Sequence, residues 1–223
     1  MQKAYYVNNR KRLYQHMDAG SLLAIFSGEE LWKCGDEYFP FFADRNFVYL
    51  TGLKCKSAVL LAAKDADGSV QERLYLLPPD ALAERWTGAR VKPEEAEAVS
   101  GISDARSVQA FERDFSALAS GGKYEKVYLD LYRYTPEQPD RPSHRLLRRI
   151  RKDFAYLSIG NAEEILRSLR LIKQPCEIEA LRKAEAITRE GILAMMRSSH
   201  PGKYEYQYKA DFDYALAQYS PDG

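Results

Sequence analysis

Charged residues stand among aromatic ones in the stretch from Gly35 to Gly52, and this mixture is the first place where chemistry could occur. The aromatic residues of the stretch are Tyr38, Phe39, Phe41, Phe42, Phe47 and Tyr49. Its charged residues are Asp36, Glu37, Asp44 and Arg45. Two interpretations stay open. Such side chains cap the turns of loops, and they also bind substrate when a loop lies over a cleft.

Trp86 offers a similar choice. It lies near the end of a short helix that Pro79 is expected to begin and Gly88 to end. An aromatic ring in that position is half-buried by packing, or it forms the wall of a cleft that covers a peptide. Neither interpretation involves bond breaking. We therefore name Asp44, Arg45 and Trp86 as candidate cleft residues, and we assign no catalytic residue and no metal ligand to this chain.

Other catalytic classes lack their motifs. The sequence contains no G-x-x-x-x-G-K-[ST], no G-x-G-x-x-G and no G-x-S-x-G, which argues against nucleotide binding and serine hydrolysis. The histidines are scattered, each on or beside a predicted helix, and we interpret each as a surface residue; they are His16, His144 and His200. Asp211 and Asp213 are two apart on a predicted helix, so they point to different sides and cannot jointly hold a metal.

The elements that position these residues alternate between strands and helices. This order predicts an α/β fold with a mixed β-sheet flanked by helices. Pro40 excludes a helix through the first half of the aromatic stretch, and Phe47 to Leu50 is then predicted as a short strand. A hairpin is predicted where Ala58 to Ala63 and Glu72 to Leu77 flank a turn rich in Asp and Gly. Further strands are expected at Ser21 to Ser27, Lys126 to Leu131 and Ala155 to Ile159.

Two amphipathic helices are predicted at the C-terminal end. Pro175 suits the first turn of the first helix, and Glu177 favours its positive end. The two apolar stripes consist of Ile178, Leu181, Ile192 and Met195, and of Phe212, Leu216 and Tyr219. Leaving them wet would cost several kcal/mol at about 25 cal/mol per Å². We expect them to pack on each other, on the preceding domain or on another copy, and we expect Pro221 to Gly223 to end the second helix.

Composition excludes several classes of function. The 33 Lys and Arg residues nearly balance the 32 Asp and Glu residues, so the chain lacks the basic excess of a nucleic-acid-binding protein. The N-terminal residues show no signal-peptide core, and no apolar run approaches the roughly 18 residues that cross a membrane. The cysteines, Cys34, Cys55 and Cys176, are odd in number and lack Cys-x-x-Cys spacing. They predict reduced thiols in the cytoplasm, not a disulfide framework or a zinc site.

Five motifs in this order resemble the N-terminal domain of aminopeptidase P, the Xaa-Pro aminopeptidases of the creatinase and prolidase group. They are Asn9-Arg-Lys-Arg-Leu13, Asp36-x-x-Phe-Pro-Phe41, Asn46-Phe-Val-Tyr-Leu-Thr-Gly52, Arg85-Trp-Thr-Gly-Ala-Arg90 and Leu171-Ile-Lys-Gln-Pro-Cys-Glu-Ile178. One position departs from the family. Many members carry an Arg where this chain has Phe42, so no role of that Arg is carried over.

The resemblance implies both an architecture and an activity. It implies a ribonuclease-H-like domain over residues 1–172, followed over residues 173–223 by a linker and the first helices of a truncated pita-bread catalytic domain. Full-length members remove the N-terminal residue that precedes proline, using two divalent metals, manganese in the expected case. Their metal ligands have no counterpart in this sequence, so we expect this chain to be inactive alone, to shape a substrate cleft and to form a homo-oligomer.

Two alternatives stay open at this point. One is a fragment of a prolidase-type dipeptidase, and the other is a peptidase-like module that binds proteins without catalysis. Residues downstream of Gly223 would separate them, because an enzyme must supply its Asp, His and Glu metal ligands there.

Overall fold

The computed structural model describes residues 1–219 and divides into two compact units, Met1–Leu171 and Ile172–Gly223. The residues Pro221 to Gly223, expected to end the last helix, lie outside the described part. The helices of the first unit are α1 (Lys3–Gln15), α2 (Arg45–Thr51), α3 (Ala81–Thr87), α4 (Pro93–Ser100), α5 (Phe111–Ser120), α6 (Pro142–Asp153) and α7 (Ala162–Leu171). Its strands are β1 (Ser21–Phe26), β2 (Trp32–Cys34), β3 (Glu37–Tyr38), β4 (Val59–Lys64), β5 (Val70–Leu76), β6 (Ala105–Ser107), β7 (Lys126–Leu129) and β8 (Ser158–Asn161).

The main sheet has six strands in the order β6-β5-β4-β1-β7-β8. The pairs β1–β4 and β4–β5 are antiparallel, whereas β1–β7, β7–β8 and β5–β6 are parallel. The sheet is therefore mixed, as the sequence predicts, and β4 and β5 form the predicted hairpin. The strands β2 and β3 form a separate two-stranded ribbon.

Helices cover both faces of the sheet, which gives it two apolar cores. On one face, Leu23 and Ile25 of β1 join side chains from α1, α2, α4 and α7 in the first core. On the other face, Leu22 and Ala24 join side chains from α5 and α6 in the second core. Because successive side chains of a strand point to opposite faces, β1 must be apolar at every position between two helical layers.

The segment Phe47 to Leu50 is helical, so the prediction of a strand there is wrong. It lies in α2, whose first backbone N–H groups are capped by the side chain of Asp44 and whose C-cap, Gly52, has φ 77°. The Thr51 hydroxyl donates to the Phe47 carbonyl at 2.8 Å. Phe47 and Leu50, three apart on the helix, are both fully buried in the first core. Caps and packing on one face thus override the strand preference of aromatic and β-branched residues.

A buried charged group ties three elements of the first unit together. Arg10 of α1 is 1% exposed, and its Nε donates to Glu72 of β5 at 2.7 Å. Its Nη1 donates to the carbonyl of Leu50 in α2, also at 2.7 Å. The Tyr14 hydroxyl donates to the same glutamate at 2.8 Å. Burial, and then the charge of Glu72, raise the pKa of Tyr14 well above its usual value. The network is a structural joint, because each buried polar atom has a partner.

The second unit contains two helices, α8 (Pro175–Arg197) and α9 (Glu205–Ala217). The Glu177 side chain accepts from the Gln174 backbone N–H at 2.8 Å and closes a capping box at the start of α8. At Gly191, an added Cβ would lie 2.5 Å from Leu216 Cδ1 and 2.6 Å from Phe212 Cδ2. The helices therefore pack on each other, which is one of the three coverings expected. Much of the stripes still faces solvent: Ile178, Leu181, Ile192 and Tyr219 are exposed.

Candidate substrate-cleft surface

An aromatic hairpin projects from the first unit. We call residues 31–42 the aromatic hairpin; it contains β2, β3 and the turn between them. The Phe39 backbone N–H donates to the Leu31 carbonyl at 2.9 Å, and Trp32 Nε1 donates to the Gly35 carbonyl at 3.0 Å. Its exposed large side chains are Leu31, Trp32, Tyr38, Phe39 and Phe42. Most aromatic residues before Ala43 are therefore exposed and not part of a core, and Phe41 is half-buried. Exposed apolar side chains gathered on one short hairpin indicate an interaction site.

Polar contacts fix the base of the aromatic hairpin to the sheet. The Asp44 backbone N–H donates to the Ser27 carbonyl at 2.8 Å, directly beyond the end of β1. Lys56 and Glu30 form an ion pair at 2.5 Å that is only partly exposed. The hairpin tip is therefore free to contact another molecule while its two ends are held by the domain.

Asp44 has a structural position. Its Oδ1 accepts from the backbone N–H groups of Asn46 at 2.8 Å and Phe47 at 3.2 Å, and its Oδ2 pairs with Arg141 at the start of α6. The carboxylate thus caps α2 and joins it to α6. Arg45, the first residue of α2, is exposed. Of this neighbouring pair, only Arg45 directs its charge to solvent.

A chain of polar side chains that was not predicted from the sequence lies beneath α2. Asn46 Nδ2 donates to Asp130 Oδ2 at 2.8 Å, and Arg170 Nη1 donates to Asn46 Oδ1 at 2.7 Å. The Arg170 guanidinium also lies 6.0 Å from the centre of the Tyr49 ring. These contacts join α2 to the end of β7 and to α7. The signal available in the sequence is that Asp130 directly follows a buried strand, where polar side chains gather at a sheet edge.

Trp86 directly precedes a run of residues that line a cleft next to the aromatic hairpin. Helix α3, capped by the Asp80 side chain, has no buried residue, and the Trp86 side chain is 85% exposed. The ring is therefore not packed in a core. The cleft has a volume of about 450 Å³ and is lined by Phe41 of the hairpin and by residues 87–91 directly after Trp86. None of the three candidate residues, Asp44, Arg45 and Trp86, is among its lining residues. Asp44 instead borders a small recess with Asp130 and Arg141.

Arg90 and Cys55, which line the cleft, are both constrained by their surroundings in the domain. Arg90 donates to the Pro78 carbonyl and lies 3.5 Å from the Asp80 carboxylate. Burial raises the pKa of the Cys55 thiol, so this wall of the cleft favours the protonated thiol. The cleft can therefore bind an amphipathic molecule through its apolar side chains and its fixed cations. It contains no activated nucleophile.

The prediction that His144 is a surface residue is wrong. His144 is buried within α6 and not on the surface, whereas His16 and His200 are exposed. Burial, and then the nearby charge of Arg133, lower the pKa of its imidazole from the usual value. His144 is thus a neutral packing residue at neutral pH, because both influences disfavour the charged ring.

The described residues do not fit a pair of divalent metals. Among residues 1–219, no three His, Cys, Asp or Glu side chains lie together so as to hold an ion. Asp211 pairs with Lys203 and Asp213 with Lys209, so both aspartates of α9 already have cationic partners. No helix in this part of the chain is both long and apolar enough to cross a membrane. No reaction step can be assigned to metal ligands among the described residues.

Comparison with known proteins identifies relatives. The sequence profile described as the aminopeptidase P N-terminal domain matches residues 6–128, more than half of this chain. The Xaa-Pro aminopeptidase of Haemophilus influenzae is 29% identical over 94% of this chain and 46% of its own length. The Xaa-Pro aminopeptidase of Escherichia coli is 26% identical over 91% of this chain and 46% of its own length. The chain thus spans about half the length of these relatives.

Solved structures agree with this fold. A structure from Bacillus anthracis, assigned provisionally as an aminopeptidase P, superposes with a TM-score of 0.93 at 28% identity and covers 98% of this chain and 52% of that one. The low-pH form of Escherichia coli aminopeptidase P superposes with a TM-score of 0.84 over 98% of this chain and 50% of that one. At 23% identity, that second likeness concerns the fold alone.

Proposed function

This chain belongs to the aminopeptidase P N-terminal domain family, and from that premise we propose that it is the N-terminal part of a metal-dependent Xaa-Pro aminopeptidase. The full-length enzyme would release the N-terminal residue that precedes proline in a peptide. The family match over residues 6–128 carries this proposal. The relatives named Xaa-Pro aminopeptidase, which align with nearly the whole chain, support it.

The proposed role of this part is to shape the substrate cleft. Trp86 supports it because its ring is 85% exposed, and the residue directly precedes Thr87, which lines the cleft, so the ring could cover the apolar ring of a proline. Arg45 is proposed to offer an exposed cation to the peptide. Asp44 is proposed to act on substrate only indirectly, since its carboxylate caps α2 and pairs with Arg141 and so positions Arg45.

The second proposed role is assembly into a homo-oligomer. The aromatic hairpin supports this, because it presents five large side chains to solvent and buries none of them in its own domain. At roughly 25 cal/mol per Å², covering several of these side chains with a second copy would contribute several kcal/mol. In such an assembly the hairpin of one chain would border the cleft of another.

Light scattering on size-exclusion fractions tests the assembly role. The chain should elute as an oligomer, and Phe42→Glu should shift it to the monomer because a charge would be buried at the contact. Tyr134→Glu is the matched control, since Tyr134 is also largely exposed but lies outside the hairpin. A wild-type chain that stays monomeric at high concentration would refute this role.

The metals of the proposed full-length enzyme, two divalent ions with manganese as the expected metal, would be held outside the described residues. A cytoplasmic location is part of the proposal and is supported by three cysteines that are all free thiols. Reading the gene beyond the Gly223 codon tests whether metal ligands follow this chain. Downstream Asp, His and Glu ligands are expected, whereas a stop codon would favour the non-catalytic binding module.

A hydrolysis assay tests whether the chain is inactive alone. The purified chain, given a tripeptide with proline in the second position and Mn²⁺, should release nothing above the blank, and calorimetry should detect no tight Mn²⁺ binding. Removing one electrostatic group from an active site already costs on the order of 100-fold in rate, and here the whole set is lacking among residues 1–219. The Escherichia coli enzyme is the positive control. Metal-dependent release by the chain would contradict the proposal.

A further inference from the structure

A second cavity opens on the face of the sheet opposite to α2. Its volume is about 400 Å³, within the roughly 300–1,000 Å³ range of small-molecule sites. Its apolar lining comes from the first core at Ala58, and otherwise from the second core and the side chains packed against it, including the 3-10 turn Val108–Ala110. The lining residues are Phe26, Ala58, Val59, Val108, Phe111 and Leu146. It includes none of Asp44, Arg45 and Trp86, and it is separate from the cleft described above.

The mouth of this cavity carries two ion pairs. Arg145 Nη2 lies 2.5 Å from Glu29 Oε1, and Arg149 pairs with Glu112. All four side chains line the cavity. The two arginines are four residues apart on α6, so they lie on the same face of the helix, one turn from each other. An apolar pocket is thus bordered by two guanidinium groups and two carboxylates.

A charged ligand can replace one partner in each of these ion pairs at little cost. Both glutamates are well exposed, Glu29 at 50% and Glu112 at 61% of the side chain. Exposed pairs of this type contribute only about 0–1 kcal/mol each, so separating them costs little. A guanidinium binds a carboxylate in two parallel hydrogen bonds, and a free carboxylate oxygen accepts from an ammonium.

The wall of the cavity also holds an unusual backbone conformation. Ser57, one of the lining residues, has φ 54°, and it is the one non-glycine residue with a positive φ in the described part of the chain. The Ser57 backbone N–H donates to the Gly28 carbonyl at 2.8 Å, and this hydrogen bond joins the cavity wall to the segment that follows β1. Backbone conformations of this kind concentrate at ligand sites.

We propose that this cavity binds a free amino acid with an apolar side chain. The side chain would enter the apolar lining, the carboxylate would bind Arg145 and Arg149, and the ammonium would bind Glu29 and Glu112. Charge balance selects a zwitterion over other small ligands. A simple anion or a simple amine would use only one of the two signs of charge at this cavity, whereas a zwitterion uses both. Arg149 keeps its contacts with Ser116 and Asp153 when Glu112 is displaced.

Chemical-shift mapping with L-leucine tests the proposal. Titration of the isotope-labelled chain at millimolar concentrations should give saturable shifts in the amides of Ala58, Val108 and Phe111. N-acetyl-leucine, which lacks the ammonium, and leucinamide, which lacks the carboxylate, should each bind at least about tenfold more weakly. Equal binding by either analogue would overturn the zwitterion assignment, and saturable shifts located elsewhere, or none, would overturn the site.

Variants make the test specific. The double variant Arg145→Gln with Arg149→Gln should weaken leucine binding at least about tenfold, because the carboxylate loses both partners. Arg151→Gln is the matched control, since Arg151 is exposed on the same helix but does not line the cavity. Val108→Phe should fill the cavity and abolish the shifts while the spectrum stays that of a folded chain. Unchanged affinity in the double variant would refute the proposal.

Discussion

The two units of this chain bury their apolar side chains to very different extents. Met1–Leu171 has a sheet with a complete core on each face, and residues such as Leu22, Leu23 and Phe115 have no exposed surface. Ile172–Gly223 has two helices whose single buried residue, within the described part, is Gly191. Both units carry amphipathic patterns in the sequence, but only the first unit encloses its apolar faces.

The difference shows that an amphipathic pattern specifies a face and not what covers it. In the first unit, strands and helices bury each other, and the polar groups at their ends are satisfied by Arg10, Asp44 and Asn46. In the second unit, Phe212 and Leu216 meet Gly191, while Ile192 and Leu181 remain about half-exposed. We therefore expect the first unit to be stable and the second to be marginal.

The largest expected effect comes from Arg10. Arg10→Met should reduce the free energy of unfolding of the first unit by about 3 kcal/mol, because Glu72 and the Leu50 carbonyl lose a buried partner. Urea unfolding followed by circular dichroism measures this. Lys11→Met is the control, since Lys11 is exposed on the same helix. If both variants unfold at the wild-type urea concentration, the buried joint does not stabilise the unit.

The next effect should be confined to the second unit. Gly191→Val should cost about 1–3 kcal/mol in the pairing of α8 and α9, because the added side chain meets Leu216 and Phe212. Hydrogen exchange of the α8 and α9 amides should accelerate, and the strands of the first unit should keep their rates. Equal acceleration in both units would mean that they unfold together, and the comparison between them would fail.

A smaller effect on stability is expected at Asp44, which caps α2 and pairs with Arg141. Asp44→Ala should cost about 1–2 kcal/mol, because α2 loses its cap and Arg141 loses its partner. Asp44→Asn keeps an N-cap and loses only the charge, so it should cost less. Thermal unfolding of the two variants measures the difference. Equal losses would show that the cap contributes nothing.

The smallest expected effect is a pH dependence from His144. Its pKa is lowered in the folded chain, so the unfolded chain takes up the proton first as the pH falls. The free energy of unfolding should therefore decrease from about pH 6.5 downward and stop changing below the folded pKa. His144→Gln should remove this slope. His16→Gln, at an exposed position, should keep it, and a slope that survives in His144→Gln would exclude this histidine as its source.

The sequence predicts much of this fold because local signals and packing agree there. The hairpin of β4 and β5, the buried strand β1 and the helix start at Pro175 follow from turn residues, apolar runs and capping residues. The order of strands and helices in the sequence excludes a purely parallel sheet and so predicts a mixed one. The structure confirms the mixed sheet.

The errors fall where tertiary contacts decide. Phe47 to Leu50 has the composition of a strand, but the Asp44 cap and the first core make it helical. His144 looks like a surface histidine because no sequence signal indicates what α6 packs against. The polar chain through Asn46, Asp130 and Arg170 joins residues up to 124 positions apart, so local patterns indicate a polar residue after β7 but not which side chains it meets.

Hydrogen exchange of the intact chain tests the central comparison most directly. We predict that amides of β1, β4 and β7 exchange at least about a hundredfold more slowly than those of α8 and α9, because the strands open only when the first unit unfolds. A single slow phase shared by the strands and both helices would contradict this account, since it would mean that the two units form one cooperative structure.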